Sequence, residues 1–237
     1  MSIRDNRIPR QILLDIKSDT LVYLVGQPTT CVTSPEQIAS PTKERLVDAA
    51  RDLFWSKGYE ITSLAEIAKK AEANSGSLYY FFKTKEELLL AVLDWYMENL
   101  FPQLIQPIVA HVSDPIERIF ALLDRYREAL KATGCTYGCP IGNLTLELGD
   151  NLPRAREKLA KNFEGWRGWV HKFLEEAGPR LPENLDRREL AAFVLTVMEG
   201  GVMQSRAQQS LEPFDSGLRQ LRTYFYLLTG DRPGNKQ

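Results

Sequence analysis

Between Ser75 and Lys85 the chain gathers groups that can bond phosphates and base edges. They are the hydroxyls of Ser75, Ser77, Tyr79, Tyr80 and Thr84 and the ammonium groups of Lys83 and Lys85, with Gly76 allowing close backbone approach. Such chemistry suits contact with DNA better than bond breaking. The two histidines, His111 and His171, stand in no metal-ligand or nucleophile pattern, and no glycine-rich phosphate loop is present. The sequence therefore offers no support for an enzyme, a metal site or a cofactor. A second reactive run is Gly134-Cys135-Thr136-Tyr137-Gly138-Cys139-Pro140-Ile141-Gly142-Asn143-Leu144. In a helical conformation its two cysteines, four residues apart, would share one side.

Composition narrows the setting. Lysine plus arginine total 30 against 31 for aspartate plus glutamate, so any attraction to a polyanion must be local rather than global. The three cysteines, Cys31, Cys135 and Cys139, are an odd number without CxxC pairing, which argues against a disulfide scaffold or zinc module and fits a reducing cytoplasm. No apolar run approaches the roughly 18 residues of a membrane span, and the N-terminal apolar stretch is broken by Asp15, Lys17 and Asp19.

The elements that must position these groups are helical from Pro41 onward. Residues 1–40 read instead as an irregular or partly disordered arm, with a short strand-like stretch at Leu21–Val25. The arm could cover a neighbouring element, extend a DNA contact through Arg4, Arg7 and Arg10, or reflect an upstream misassigned start. Ser40-Pro41 is a helix start, and Leu46, Ala49, Ala50, Leu53 and Phe54 share one face before Gly58 supplies a stop. Ser63 and Glu66 have capping-box spacing for a second helix over 62–70, and Asn74 can cap a third over 75–82 with Leu78 and Phe82 inward. A fourth begins at Thr84 and runs to about Phe101, where Pro102 and Pro107 bend or end it. Amphipathic segments at 114–132, 138–148, 153–177, 186–209 and 214–229 follow. The expected fold is all-α, about nine helices, the first three forming a small head in front of a helical bundle.

Two short helices joined by a tight turn have the dimensions of a helix-turn-helix, whose second helix can enter the major groove. Tyr79 and Tyr80 would then face outward; the alternative is that they are core aromatics. The run Thr62-Ser63-Leu64-Ala65-Glu66-Ile67-Ala68, with Gly76-Ser77-Leu78-Tyr79-Tyr80-Phe81-Phe82-Lys83-Thr84-Lys85-Glu86-Glu87-Leu88, resembles the tetracycline-repressor (TetR) family of bacterial regulators. The likeness covers residues 41 to about 95 in order and includes Ala50, Leu53, Phe54, Gly58 and Tyr59. It implies a homodimer that binds palindromic, double-stranded operator DNA and releases it when an as yet unknown small-molecule effector occupies the C-terminal domain. By position, Thr62 and Ser63 would bring the positive end of the second helix to a phosphate. Ser75, Gly76 and Ser77 would face base edges, Tyr79 and Tyr80 the backbone or a thymine methyl, and Lys83, Thr84 and Lys85 would clamp phosphate. Three residues depart from the family pattern: Glu72 stands at the usual turn glycine, Ser75 where a lysine, proline or arginine is common, and Phe81 where a histidine is common.

The implied division is an extension over 1–40, a DNA-binding domain over 41–88, and an effector-binding and dimerisation domain over 89–237. The Gly-Cys-Pro-x-Gly-Asn-Leu stretch resembles one found in a subset of the family, which suggests that Cys139, Asn143 and Glu147 line an inward helix face. Cys139 is either a thiol that senses electrophiles or oxidants or a small buried hydrophobe. Tyr126, Phe163 and Trp166 supply aromatic surface for an apolar effector site, unless they are simply core. Ala191, Ala192, Leu195, Met198 and Gly200-Gly201, with Leu218, Leu221, Phe225 and Leu228, are the expected dimer-forming positions, a spacing that equally fits an intramolecular core.

Overall fold

Prolines and short polar side chains set where the helices of this chain begin. The computed structural model describes residues 40–148 and 152–230. The N-terminal arm with Arg4, Arg7, Arg10 and Cys31 lies outside the described residues. Helix α1 (Pro41–Ser56) starts on Pro41, whose missing N–H is no loss in a first turn; Ser40 contributes extended backbone but no side-chain capping bond. It closes on Gly58, which adopts φ 103° and donates its N–H to the Phe54 carbonyl at 3.0 Å. Helices α2 (Leu64–Lys70) and α3 (Ser75–Phe81) follow, then α4 (Lys85–Trp95).

The fourth helix does not stop near Phe101. A π-helical turn over Tyr96–Leu100 leads directly into α5 (Phe101–His111), with Pro102 in its first turn and Pro107 inside it. The wide turn ends just before Pro102, where the pyrrolidine ring would otherwise press on the carbonyl four residues back. The remaining elements are α6 (Pro115–Ala132), α7 (Pro140–Glu147), α8 (Pro153–Glu176), a short 3-10 turn (Gly178–Arg180), α9 (Arg187–Gln208) and α10 (Glu212–Thr229). Among the described residues there is no strand, and with α4 to α5 counted as one continuous rod the helices number 9.

Helices α1 to α3 pack on one another, α1 and α8 hold α4, and α9 lies against both α8 and α10. Buried side chains form one continuous core through all of them. Phe120, Phe173 and Phe225 are fully buried, each contributing roughly 2–3 kcal/mol of transfer free energy. Ala191, Leu195, Met198, Leu221 and Phe225, expected among the dimer-forming positions, are part of this intramolecular core. The exposed apolar stripe on the same two helices is a different one: Phe193, Met203, Tyr224 and Leu227. Gly201 faces inward against Phe214, whereas a side chain at Gly200 would meet open space.

Candidate nucleic-acid interface

Each helix of the head is closed by its own side chains before any ligand is considered. Ser63 Oγ accepts the Glu66 N–H at 3.2 Å and Glu66 Oε2 accepts the Ser63 N–H at 3.0 Å, a complete capping box. The Ser63 hydroxyl also donates to Glu66, so its side chain is occupied and only backbone of the first turn is left to meet a phosphate. Lys57 lies 2.8 Å from Glu66, and with the Ser63 bonds it holds that carboxyl down at about 2. Thr62 departs from expectation. It is buried, precedes the helix rather than opening it, and donates its hydroxyl to the Gly58 carbonyl at 2.6 Å. Its side chain ties the α1–α2 turn together and is not presented to DNA.

The turn between α2 and α3 keeps the usual geometry without the usual residue. Glu72 takes φ 52°, and the amides of Glu72 and Ala73 reach back to the carbonyls of Lys69 and Ala68 at 3.2 and 2.9 Å. This is the Schellman pattern, built on a left-handed glutamate at a cost of roughly 1–2 kcal/mol. Asn74 then caps α3 by accepting the Ser77 N–H at 2.8 Å. Leu78 and Phe82 are buried, which leaves Ser75, Gly76, Tyr79 and Tyr80 exposed and Ser77 half-buried. The tyrosines are not core: their relative exposures are 51% and 75%.

Thr84 caps α4 through the Glu87 N–H at 3.1 Å, and Glu87 in turn accepts the Lys83 N–H at 2.7 Å. The Lys83 ammonium bonds the Tyr79 carbonyl at 2.9 Å, at the negative end of α3, and remains exposed. Lys85 is more constrained: its ammonium donates to the Glu60 carbonyl at 3.1 Å and stands 4.2 Å over the Tyr59 ring. The exposed hydroxyls of Ser75, Tyr79, Tyr80 and Thr84, with Gly76 and Lys83, thus lie between the start of α3 and the start of α4, while Ser77 and Lys85 are half-buried. Arg45, exposed, donates through Nε to the Ala71 carbonyl at 3.0 Å and so ties α1 to the end of α2 across 26 residues.

Residues 46–92 match the family description "Bacterial regulatory proteins, tetR family", and residues 115–220 match "Transcriptional regulator LmrA/YxaF-like, C-terminal domain". The chain is 30% identical over 173 residues to the HTH-type transcriptional regulator YxaF of Bacillus subtilis, covering 73% of this chain and 88% of that protein. It belongs to the TetR family. Other similar proteins include the HTH-type transcriptional repressor DhaR of Mycobacterium sp., 26% identical over 182 residues, which span 76% of this chain and 89% of that protein. The crystal structure of regulatory protein TetR from Rhodobacter sphaeroides superimposes with a TM-score of 0.71 at 25% identity, covering 78% of this chain and 99% of that one. The chain is thus a TetR-family transcriptional regulator.

Behind the head of this TetR-family chain, the residues expected at an effector site separate into two groups. Glu147 points at the head, not at an interior space: Oε2 accepts the Tyr59 N–H and Oε1 the Glu60 N–H, both at 2.8 Å. Trp55 adds a second tie, donating Nε1–H to the Gly138 carbonyl at 2.8 Å. Asn143 is half-buried and accepts from Arg206 Nη1 at 2.9 Å. Cys139 and Trp166 do lie inside, and Tyr126 and Phe163 pack, partly buried, at the margin of the core. Burial pushes the Cys139 thiol well above its ordinary range and the neighbouring Glu199 carboxyl pushes it further, so this conformation supplies neither the exposure nor the acidity that a reactive thiol needs. Glu199 itself went unnoticed in the sequence, although it lies four residues after Leu195 and three before Val202, on the buried stripe of α9.

Proposed function

We propose that the chain is a ligand-responsive transcriptional repressor that binds a palindromic operator as a homodimer and is released by a small-molecule effector. The observation that carries this reading is the pair Tyr79 and Tyr80, exposed together with Gly76 on a helix whose Leu78 is buried, with the exposed Lys83 just beyond its end. A seven-residue helix has no packing need for two outward tyrosines; a DNA backbone and groove do. Residues 41–88 serve as the DNA-binding domain and 89–237 as the effector-binding and dimerisation domain, in the cytoplasm. Ser75, Gly76 and Ser77 read bases; Tyr79, Tyr80, Lys83, Thr84 and Lys85 hold the backbone, with the first-turn amides of α2 beyond Ser63.

Dimerisation falls to the exposed stripe of α9 and α10. Phe193 and Tyr224 already pair edge to face at 5.8 Å, and Met203 and Leu227 extend the apolar surface. Two such helix pairs about a two-fold axis make a four-helix interface. Two heads must stand about 34–36 Å apart to meet successive major grooves, so a small swing of α4 disengages both.

The test is operator selection from random DNA followed by titration of Tyr80→Ala and Lys83→Ala. Both variants are expected to melt like the parent, to bind the operator more weakly, and for Lys83→Ala to lose about one unit of salt slope. Unchanged operator affinity in both variants would overturn the interface.

A further inference from the structure

The interior of the body contains an acid with no base. Glu199, on α9, turns its carboxyl toward the N-terminus of α7, where Gly142 leaves room for it: a Cβ there would stand 2.6 Å from Glu199 Oε2. Its neighbour is the Cys139 thiol, which donates a hydrogen bond to the carboxyl, and burial disfavours its charged form. Glu199 Oε1 is buried and has no hydrogen-bond partner, and among the described residues no basic side chain pairs with this carboxyl. Tyr126, on α6, is near enough to feel both Cys139 and Glu199, and its ring stands edge-on to Trp166 of α8, centroids 6.4 Å apart. Trp166 is only 3% exposed, and its buried Nε1–H has no hydrogen-bond partner of good geometry, the Tyr126 hydroxyl being its nearest polar neighbour among the groups of the cluster.

A carboxyl oxygen lacking a donor, an indole N–H lacking an acceptor and two aromatic rings converge from three helices. A site built only for packing would fill these positions with apolar side chains or pair them with each other. We propose that the Tyr126–Cys139–Trp166–Glu199 cluster binds a small amphipathic amine, with its protonated nitrogen donating to Glu199 and its apolar body packed against the Tyr126 and Trp166 pair. The ammonium supplies a positive charge and a donor for the unpartnered oxygen, and aromatic faces favour a cation beside them. The proposal rests on the effector-responsive reading above and names its ligand class. The same α7 that contacts Glu199 at its start holds the head through Glu147 at its end, so a ligand parting Cys139 and Gly142 from Glu199 acts on the head through one rigid element.

The experiment is calorimetric titration of the full chain with 2-phenylethylamine, 2-phenylethanol and 3-phenylpropionate, repeated on Glu199→Gln, with operator release measured in parallel. The amine is expected to bind at least about tenfold more tightly than the alcohol, the carboxylate not to bind, and the preference to disappear in Glu199→Gln. Equal binding of amine and alcohol, or a preference that survives Glu199→Gln, would overturn the assignment, as would no amine binding in the millimolar range. Folding of the variant is checked by its melting transition, and Trp166→Phe provides a second variant expected to weaken every bound probe. Amine binding without operator release would leave the site intact and sink the regulatory reading instead.

Discussion

Glu147 is the residue whose removal should be felt most sharply for its size. Its carboxylate accepts two successive amides of the α1–α2 turn, each at 2.8 Å, from a helix 88 residues away in sequence. Hydrogen bonds to a charged acceptor contribute about 1.5–3 kcal/mol, and because the Glu60 side is exposed, Glu147→Ala should cost about 2–3 kcal/mol in total. For a domain of this size each kcal/mol moves the melting temperature by about 2–4 °C, so a drop of about 5–10 °C is expected in a circular dichroism melt. Glu147→Gln, which retains one acceptor oxygen but sets an amide NH2 against donors, should fall between the two. Gly58→Ala offers an internal check. It forces a side chain into φ 103° and sets its Cβ 2.7 Å from Glu147 Oε1. Part of its cost is therefore a clash with Glu147, and the double variant should be less destabilised than the sum of the singles by about 1 kcal/mol. A Glu147→Ala protein melting within about 2 °C of the parent, or strict additivity with Gly58→Ala, would refute a stabilising role for the Glu147 bonds to the α1–α2 turn.

Three further outcomes follow from features of the head and the exposed stripe. Glu72→Gly should raise stability by about 0.5–1 kcal/mol in chemical denaturation, because it relieves a left-handed glutamate at φ 52° while adding some unfolded-chain entropy. Glu66, held at about 2 against an ordinary 4.5 by Lys57 and then by the Ser63 amide and hydroxyl, contributes stability that is present above pH 4.5. That contribution is lost as the pH falls through about 2, and Glu66→Gln should flatten this part of the acid unfolding curve. Leu227→Glu, at 77% exposure on α10, should leave the melting of the isolated subunit unchanged yet shift the mass measured by light scattering from dimer to monomer; a monomeric parent would remove the dimer proposal altogether.

Much of the head was legible because its signals are local. Ser63, Asn74 and Thr84 each cap a helix with an amide three residues on, and the inward positions Leu78 and Phe82 are one turn apart. Thr62 was misjudged because its hydroxyl turns back to Gly58, a contact that capping patterns do not encode. The partners of Glu147 were invisible for a different reason: a helix period gives a face but not its neighbour. On α9 there are two apolar stripes, Leu195 with Met198 and Phe193 with Met203, and periodicity cannot say which one the chain covers for itself. The π turn left no mark in the sequence beyond the proline that follows it.

That turn also bears on how the chain can change its length. Residues Tyr96–Leu100 hold one residue more than α-helical winding would need to join α4 to α5. Elsewhere in the rod from Lys85 to His111, losing a single residue would swing everything after it by about 100° and turn buried side chains toward solvent. Within the wide turn the same loss would merely tighten the winding, leaving Leu93 and Ile105 facing the core as they do now. The connection between the DNA-reading end and the body therefore includes one place where descent can remove a residue without repacking either side.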